Sequence, residues 1–122
     1  MKTFEDYNLE ERLIDFAVII IKIAAKIHSS FEGYNLSEQL IRSGSSPALH
    51  YGEVLSSESR KDFIHKMSVC LKELRETYIA LKIIKKLNFK SIENEIEMAL
   101  KENLELISIF SKAIKTAKSN QS

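Results

Sequence analysis

Apolar residues recur at helical spacing in four stretches of the chain. In the first, Leu9, Leu13, Phe16, Ala17, Ile20, Ala24 and Ile27 fall on one face. Each stretch opens on a short polar residue able to accept from the free amides of a first helical turn: Asn8, Asn35, Ser59 and Ser91. Asn8 with Glu11 and Asn35 with Glu38 have capping-box spacing, and Ser59 with Asp62 is a weaker version. The pattern predicts helices over about 8–31, 36–57, 60–88 and 91–118. The connections are too short for anything but antiparallel neighbours. The predicted fold is all-α, an up-down-up-down antiparallel four-helix bundle forming one domain over residues 1–122.

The second stretch contains Gly44, Pro47 and Gly52 among several serines, any of which can end a helix. Its register runs on regardless. Leu36, Leu40, Pro47, Tyr51 and Val54 lie within about 60° at 100° per residue, which predicts one helix kinked near Ser43 to Ser46, beside the proline. A loop breaking the helix there is the alternative. Gly44, Ala48 and Gly52, spaced by four, would form a small-residue ridge that lets a neighbouring backbone come close.

Two of the helices carry more apolar surface than one core face needs. On the first, Ile14, Val18, Ile21 and Ala25 make a second stripe beside the core stripe. On the third, Phe63, Met67, Cys70, Leu74, Tyr78 and Leu81 make a core face, while Val69, Ala80, Ile83 and Leu87 gather on another side. These second faces predict self-association, since monomers seldom expose large contiguous apolar patches. Packing on a second helix of the same bundle is the competing explanation.

Composition narrows the class. With 44% hydrophobic and 29% charged residues, 3 glycines and 1 proline, the chain is too apolar for disorder and too poor in turn residues for a sandwich or barrel. Lys+Arg of 18 against Asp+Glu of 17 gives a net charge of +1, so bulk charge names no partner. Acids rather than bases crowd the opening residues, a single cysteine excludes an internal disulfide, and the run Phe16–Ile21 is too short to cross a bilayer. A cytoplasmic protein without membrane contact is expected. Charge is nevertheless uneven: Lys61, Lys72, Arg75, Lys82, Lys86 and Lys90 share an arc of about 80° on the third helix. Such an arc can track phosphates, and it can equally be a solvated face interleaved with Glu73 and Glu76.

Candidate chemistry is thin. His28, His50 and His65 sit on separate helices without ligand-spaced partners, so no metal or cofactor is expected. Cys70 falls on a core face, where a thiol acts as a small hydrophobe. No nucleophile elbow or phosphate-cradling glycine loop occurs, and the serines near Pro47 have no base spaced to activate them. Short hydroxyls there more often bond to carbonyls freed by the proline. No catalytic residues are assigned and no enzymatic activity is expected.

Arg42-Ser43-Gly44-Ser45-Ser46-Pro47-Ala48 with Tyr51-Gly52-Glu53, then Glu58-Ser59 and Asp62-Phe63-Ile64-His65-Lys66, then Leu71-Lys72-Glu73-Leu74-Arg75-Glu76-Thr77-Tyr78 resembles the 23S rRNA-intervening-sequence protein family. His50 replaces the usual asparagine, and Ile79-Ala80 stands where aromatic residues are common. The resemblance implies a small bacterial four-helix bundle protein assembled as a toroidal homopentamer. It also implies a distant similarity to the accessory variability determinant of diversity-generating retroelements, a basic pentamer that binds RNA and a reverse transcriptase. Under it, Glu53, Glu73, Arg75 and Glu76 would fix helix pairs and subunit contacts. The function expected is that of a non-enzymatic oligomer binding RNA or a ribonucleoprotein, with Lys72, Arg75, Lys82, Lys86 and Lys90 touching phosphates. A protein-binding scaffold without nucleic-acid contact is the second reading.

Overall fold

A computed structural model describes residues 4–120, with side chains from Asn8 onward. Four helices follow in order: α1 (Phe4–Ile27), α2 (Gly33–Leu55), α3 (Arg60–Leu87) and α4 (Glu93–Ser119), with a single 3-10 turn at Lys90–Ile92 before the last. Each helix packs along its chain neighbour, and α4 returns to α1 along a thinner contact. Cross-links between residues whose numbers run in opposite directions make the pairs antiparallel. Arg12 pairs with Glu102 at 2.6 Å and Lys26 with Glu95 at 2.7 Å across α1 and α4. The four-helix bundle is therefore the one its hydrophobic periodicity predicts.

The helix ends depart from the expected caps in three of four cases. Ser59 behaves as predicted, its hydroxyl accepting from the Asp62 amide at 3.0 Å. Asn8 instead lies inside α1, which begins at Phe4. Asn35 lies inside α2. The hydroxyl that serves that helix is Ser30, which accepts from the Gly33 amide at 2.9 Å and donates to the Ile27 carbonyl at 2.8 Å. One side chain thus closes α1 and opens α2. A Cβ on Gly33 would run into the Ile27 carbonyl and the Ser30 hydroxyl, so a glycine is needed at this turn. Ser91 sits within the 3-10 turn; buried Ile92 anchors it, and Glu93 and Glu95 supply negative charge to the α4 N-terminus. At the far end of α3, Asn88 takes a left-handed conformation with φ 63°, which stops the helix.

α2 runs unbroken through Pro47, which is buried. Gly44 fulfils the packing role expected of it, because a Cβ there would stand 2.6 Å from Ile20 Cγ2 of α1. Gly52 does not: nothing lies within 4 Å of its added Cβ, so the ridge stops short of the lower turns. The nearby hydroxyls bond one turn back, Ser45 Oγ to the Ile41 carbonyl at 2.6 Å and Ser46 Oγ to that of Arg42 at 2.7 Å. These are the carbonyls preceding the one that Pro47 leaves without its helical amide, that of Ser43. Ser43 itself meets Thr77 Oγ1 of α3 at 2.8 Å in the interior.

The core is mainly aliphatic with three buried aromatic side chains, Phe16, Tyr51 and Phe110, and Cys70, Leu74 and Leu81 of α3 are fully buried as their face predicted. Of the described residues, Ser37, Ser43, Thr77 and Asn103 are the buried polar ones, and Asn103 alone has a side-chain atom left without a partner. Asn103 is completely buried; its Nδ2 donates to the Leu74 carbonyl at 3.1 Å, and its Oδ1 has no partner. A buried acceptor left dry costs about 1–3 kcal/mol, whereas the Leu74 carbonyl already belongs to a helix. Asn103→Leu is therefore expected to raise stability by about 1 kcal/mol, read as a higher denaturant midpoint at unchanged slope. A loss of stability would show that Asn103 Oδ1 is bonded in solution.

Candidate interaction surfaces

The second apolar stripe of α1 stays on the outside of the protomer. Ile14, Val18 and Ile21 keep 41%, 45% and 43% of their surface, and Ala25 is exposed with them. On α3, Val69, Ile83 and Leu87 are similarly half-exposed. Ala80 is not: at 7% exposure it is buried in the protomer, one helical turn after Thr77, which bonds to α2. Its short side chain sits in the α2–α3 seam, so it belongs to the floor of that seam and not to an outer face.

Above that seam lies a groove of about 620 Å³ between α2 and α3. Leu36 from α2 and Leu71, Ile79 and Ile83 from α3 form its apolar lining, with Lys72 and Arg75 on its rim. Ile79 is 58% exposed in the middle of the basic arc, and the sequence reading missed it as a surface residue. Its signal was present: it falls seven residues after Lys72, four after Arg75 and seven before Lys86.

All five predicted phosphate contacts, Lys72, Arg75, Lys82, Lys86 and Lys90, are exposed. They do not form a single cluster. Lys72 and Arg75 belong to the groove, whereas Lys82, Lys86 and Lys90 follow α3 to its C-terminal end and into the 3-10 turn. The Lys82 ammonium lies 5.9 Å from the centroid of the Tyr78 ring. What happens to the interleaved acids decides the field around them. Arg42 of α2 spans both, its two terminal nitrogens 3.1 Å from Glu73 and 3.0 Å from Glu76. The hydrogen bond to Glu76, then the charge of Glu73, holds the Arg42 pKa above its ordinary value. Lys85, off the arc, is taken by Glu97 of α4 at 2.7 Å. Among the described residues no carboxylate lies within ion-pair distance of Lys72, Arg75, Lys86 or Lys90. Glu73 and Glu76 thus fix a helix pair, as their assigned role required, while Glu53 is exposed and Arg75 rims the groove.

Among the described residues, one serine–histidine contact joins His28 Nδ1 and Ser37 Oγ at 3.1 Å, between the end of α1 and the start of α2. Ser37 is buried, and its hydroxyl donates to the Tyr34 carbonyl at 2.7 Å, which commits the proton a nucleophile would surrender. The contact ties the turn together. Burial pushes the Cys70 thiol up to about 11, so it stays protonated and unreactive near neutral pH. Among the described residues no three His, Cys, Asp or Glu side chains group as a metal site, and no helix is long and apolar enough to cross a membrane.

Residues 5–114 match the family described as 23S rRNA-intervening sequence protein. Among solved structures, the chain is similar to a protein of unknown function from the S23 ribosomal protein family of Bacteroides thetaiotaomicron. The two share 25% identity with a TM-score of 0.81, over 92% of this chain and 99% of that one. No curated protein matches.

Proposed function

Because the chain belongs to the 23S rRNA-intervening sequence protein family, we propose that it is a non-enzymatic, self-associating helical module that binds structured RNA, free or in a ribonucleoprotein. Self-association is supported by the half-exposed stripe of α1 together with Val69, Ile83 and Leu87 of α3. A homopentamer is the assembly that the family resemblance suggests. The RNA reading is carried by one observation: Lys82 and Lys86 at the end of α3 and Lys90 in the 3-10 turn that follows are all exposed, and no carboxylate of the described residues lies within ion-pair distance of them. Lys72 and Arg75 are set apart from these contacts by their place on the groove.

Repetition of three lysines around an assembly multiplies a field that one protomer alone supplies weakly. Binding through three phosphates per protomer gives a slope of log affinity on log salt of about −2 to −3, or roughly a fortyfold loss between 50 and 200 mM salt. Titration of a labelled structured RNA should show this dependence, and K82E with K86E should weaken binding at least tenfold at low salt. Affinity indifferent both to salt and to these reversals would dismiss the α3 arc as the RNA site. A partner protein that stays bound after nuclease treatment, together with absent RNA binding, would favour the scaffold reading.

A further inference from the structure

The turn between α1 and α2 carries two aromatic rings that the core does not use. Phe31 keeps 96% of its surface and Tyr34 keeps 52%. The turn beneath them is nevertheless fixed. Ser30 bonds to Ile27 and Gly33 on either side of Phe31, Gly33 has no room for a Cβ, and the Tyr34 ring leans on that of His28 at 5.1 Å between centroids and 35° between planes. Ser37 holds His28 in turn. A phenyl ring so exposed buries almost nothing and so adds almost nothing to stability. Around the two rings, Ser29, Glu32 and Asn35 line the same shallow hollow. A lipid surface or an apolar protein patch would have to desolvate these polar groups at a cost. A nucleobase suits them, being apolar on its faces and polar along its edges.

The antiparallel order places this turn at the end of the bundle where α3 stops and α4 starts. Lys26 pairs there with Glu95, and Leu36 of α2 lines one groove with Ile83 of α3. Phe31 thus shares an end of the molecule with Lys82, Lys86 and Lys90, across about two helix diameters, or about 20 Å. Of the acids at this end, Glu95 and Glu97 are held by Lys26 and Lys85, while Glu32 and Glu93 are exposed. With Glu32 next to it in the chain, Phe31 suits the uncharged part of a nucleotide and not its phosphate. We infer that Phe31, with Tyr34 in the same hollow, stacks on an unpaired base of the bound RNA while Lys82, Lys86 and Lys90 hold phosphates of the same molecule. This rests on the RNA binding proposed above and names the kind of RNA the site takes. A loop, bulge or single-stranded end offers a free base face, whereas the bases of a continuous duplex are stacked on one another.

The test uses the full chain, a labelled RNA hairpin with an unpaired loop, and a fully paired duplex of equal phosphate number. Phe31→Ala should leave the melting temperature nearly unchanged, since the ring is exposed. It should weaken hairpin binding about tenfold and duplex binding hardly at all. Stacking releases no counterions, so the slope of log affinity on log salt should stay that of the wild type, whereas K82E with K86E should flatten it. The chain has no tryptophan, so Phe31→Trp supplies a single reporter that keeps the aromatic face. This variant should bind the hairpin as tightly as the wild type, and its fluorescence should be quenched on binding. Hairpin affinity untouched by Phe31→Ala, or equal losses on hairpin and duplex, would overturn base stacking while leaving RNA binding through the lysines standing. Absence of RNA binding by the wild type at low salt would overturn both. Tryptophan emission that ignores the hairpin but brightens and shifts to the blue with vesicles of phosphatidylcholine and phosphatidylserine would overturn the inference in favour of a membrane surface.

Discussion

Truncating Phe110 to alanine is expected to remove about 3–5 kcal/mol of stability, the range for a large aromatic deleted from a packed core. Phe110 is 0% exposed on α4, and its ring meets Tyr51 of α2 edge-on, at 6.2 Å between centroids and 62° between planes. α2 and α4 are diagonal partners in the bundle, so this contact fills the centre and not a seam between neighbours. Edge-to-face aromatic pairs add about 0.5–1.5 kcal/mol beyond the area they bury, which places the loss in the upper part of the range. Since domains of this kind are stable by about 5–15 kcal/mol, the variant would forfeit a third or more of its margin. Phe110→Leu keeps most of the volume and should lose about half as much or less. Denaturant unfolding at unchanged slope measures both; a loss under about 1 kcal/mol for alanine would mean the centre collapses freely around the gap.

The second large effect comes from adding a methyl group. Alanine at Gly44 gains about 1 kcal/mol of helix propensity, and on an exposed helix that would decide the outcome. Here the added Cβ would lie 2.6 Å from Ile20 Cγ2 and 3.0 Å from Ile20 Cβ, and Ile20 is wholly buried. A β-branched side chain is stiff at χ1, and the helix holds its Cβ in place. α1 and α2 must therefore separate, and Gly44→Ala should destabilise by about 1–3 kcal/mol net, or several degrees in melting temperature. Ile20→Ala makes room for the methyl group. The double variant should be more stable than the sum of the two single losses predicts, by about 1 kcal/mol or more. Strict additivity would refute the close approach.

These two sites show what a sequence does and does not display. Helix number, order and core faces were legible because apolar spacing at helical period has one common interpretation, and Phe16, Ile20, Leu74 and Leu81 are buried as that spacing requires. Helix ends were less so. Asn35 and Ser30 are both competent caps, and which one serves α2 depends on the path of the chain between Ile27 and Gly33. Gly44 and Gly52 both belong to the small-residue ridge spaced by four, yet they stand about 80° apart at 100° per residue and only Gly44 lies where α1 comes close. The basic arc was visible as a spacing, whereas its division between a groove and a helix end was not. Nor was the Arg42 clamp, whose partners lie 31 and 34 residues away. The exposed stripe on α1 was read correctly as surplus apolar surface, but Ala80 was placed with the outer face when its seam with α2 hides it.

The thin contact between α1 and α4 bears on how the bundle is made and how it opens. Its other three edges join helices adjacent in the chain, so each hairpin closes only a short loop, and low-contact-order hairpins form early. Bringing α1 to α4 means shutting the ring of helices across nearly the whole chain, a late step with the least packing to reward it. Local opening is expected first along this first-to-last seam, where Ile23 and Met98 border a shallow cleft and the Lys26–Glu95 and Arg12–Glu102 pairs would act as latches.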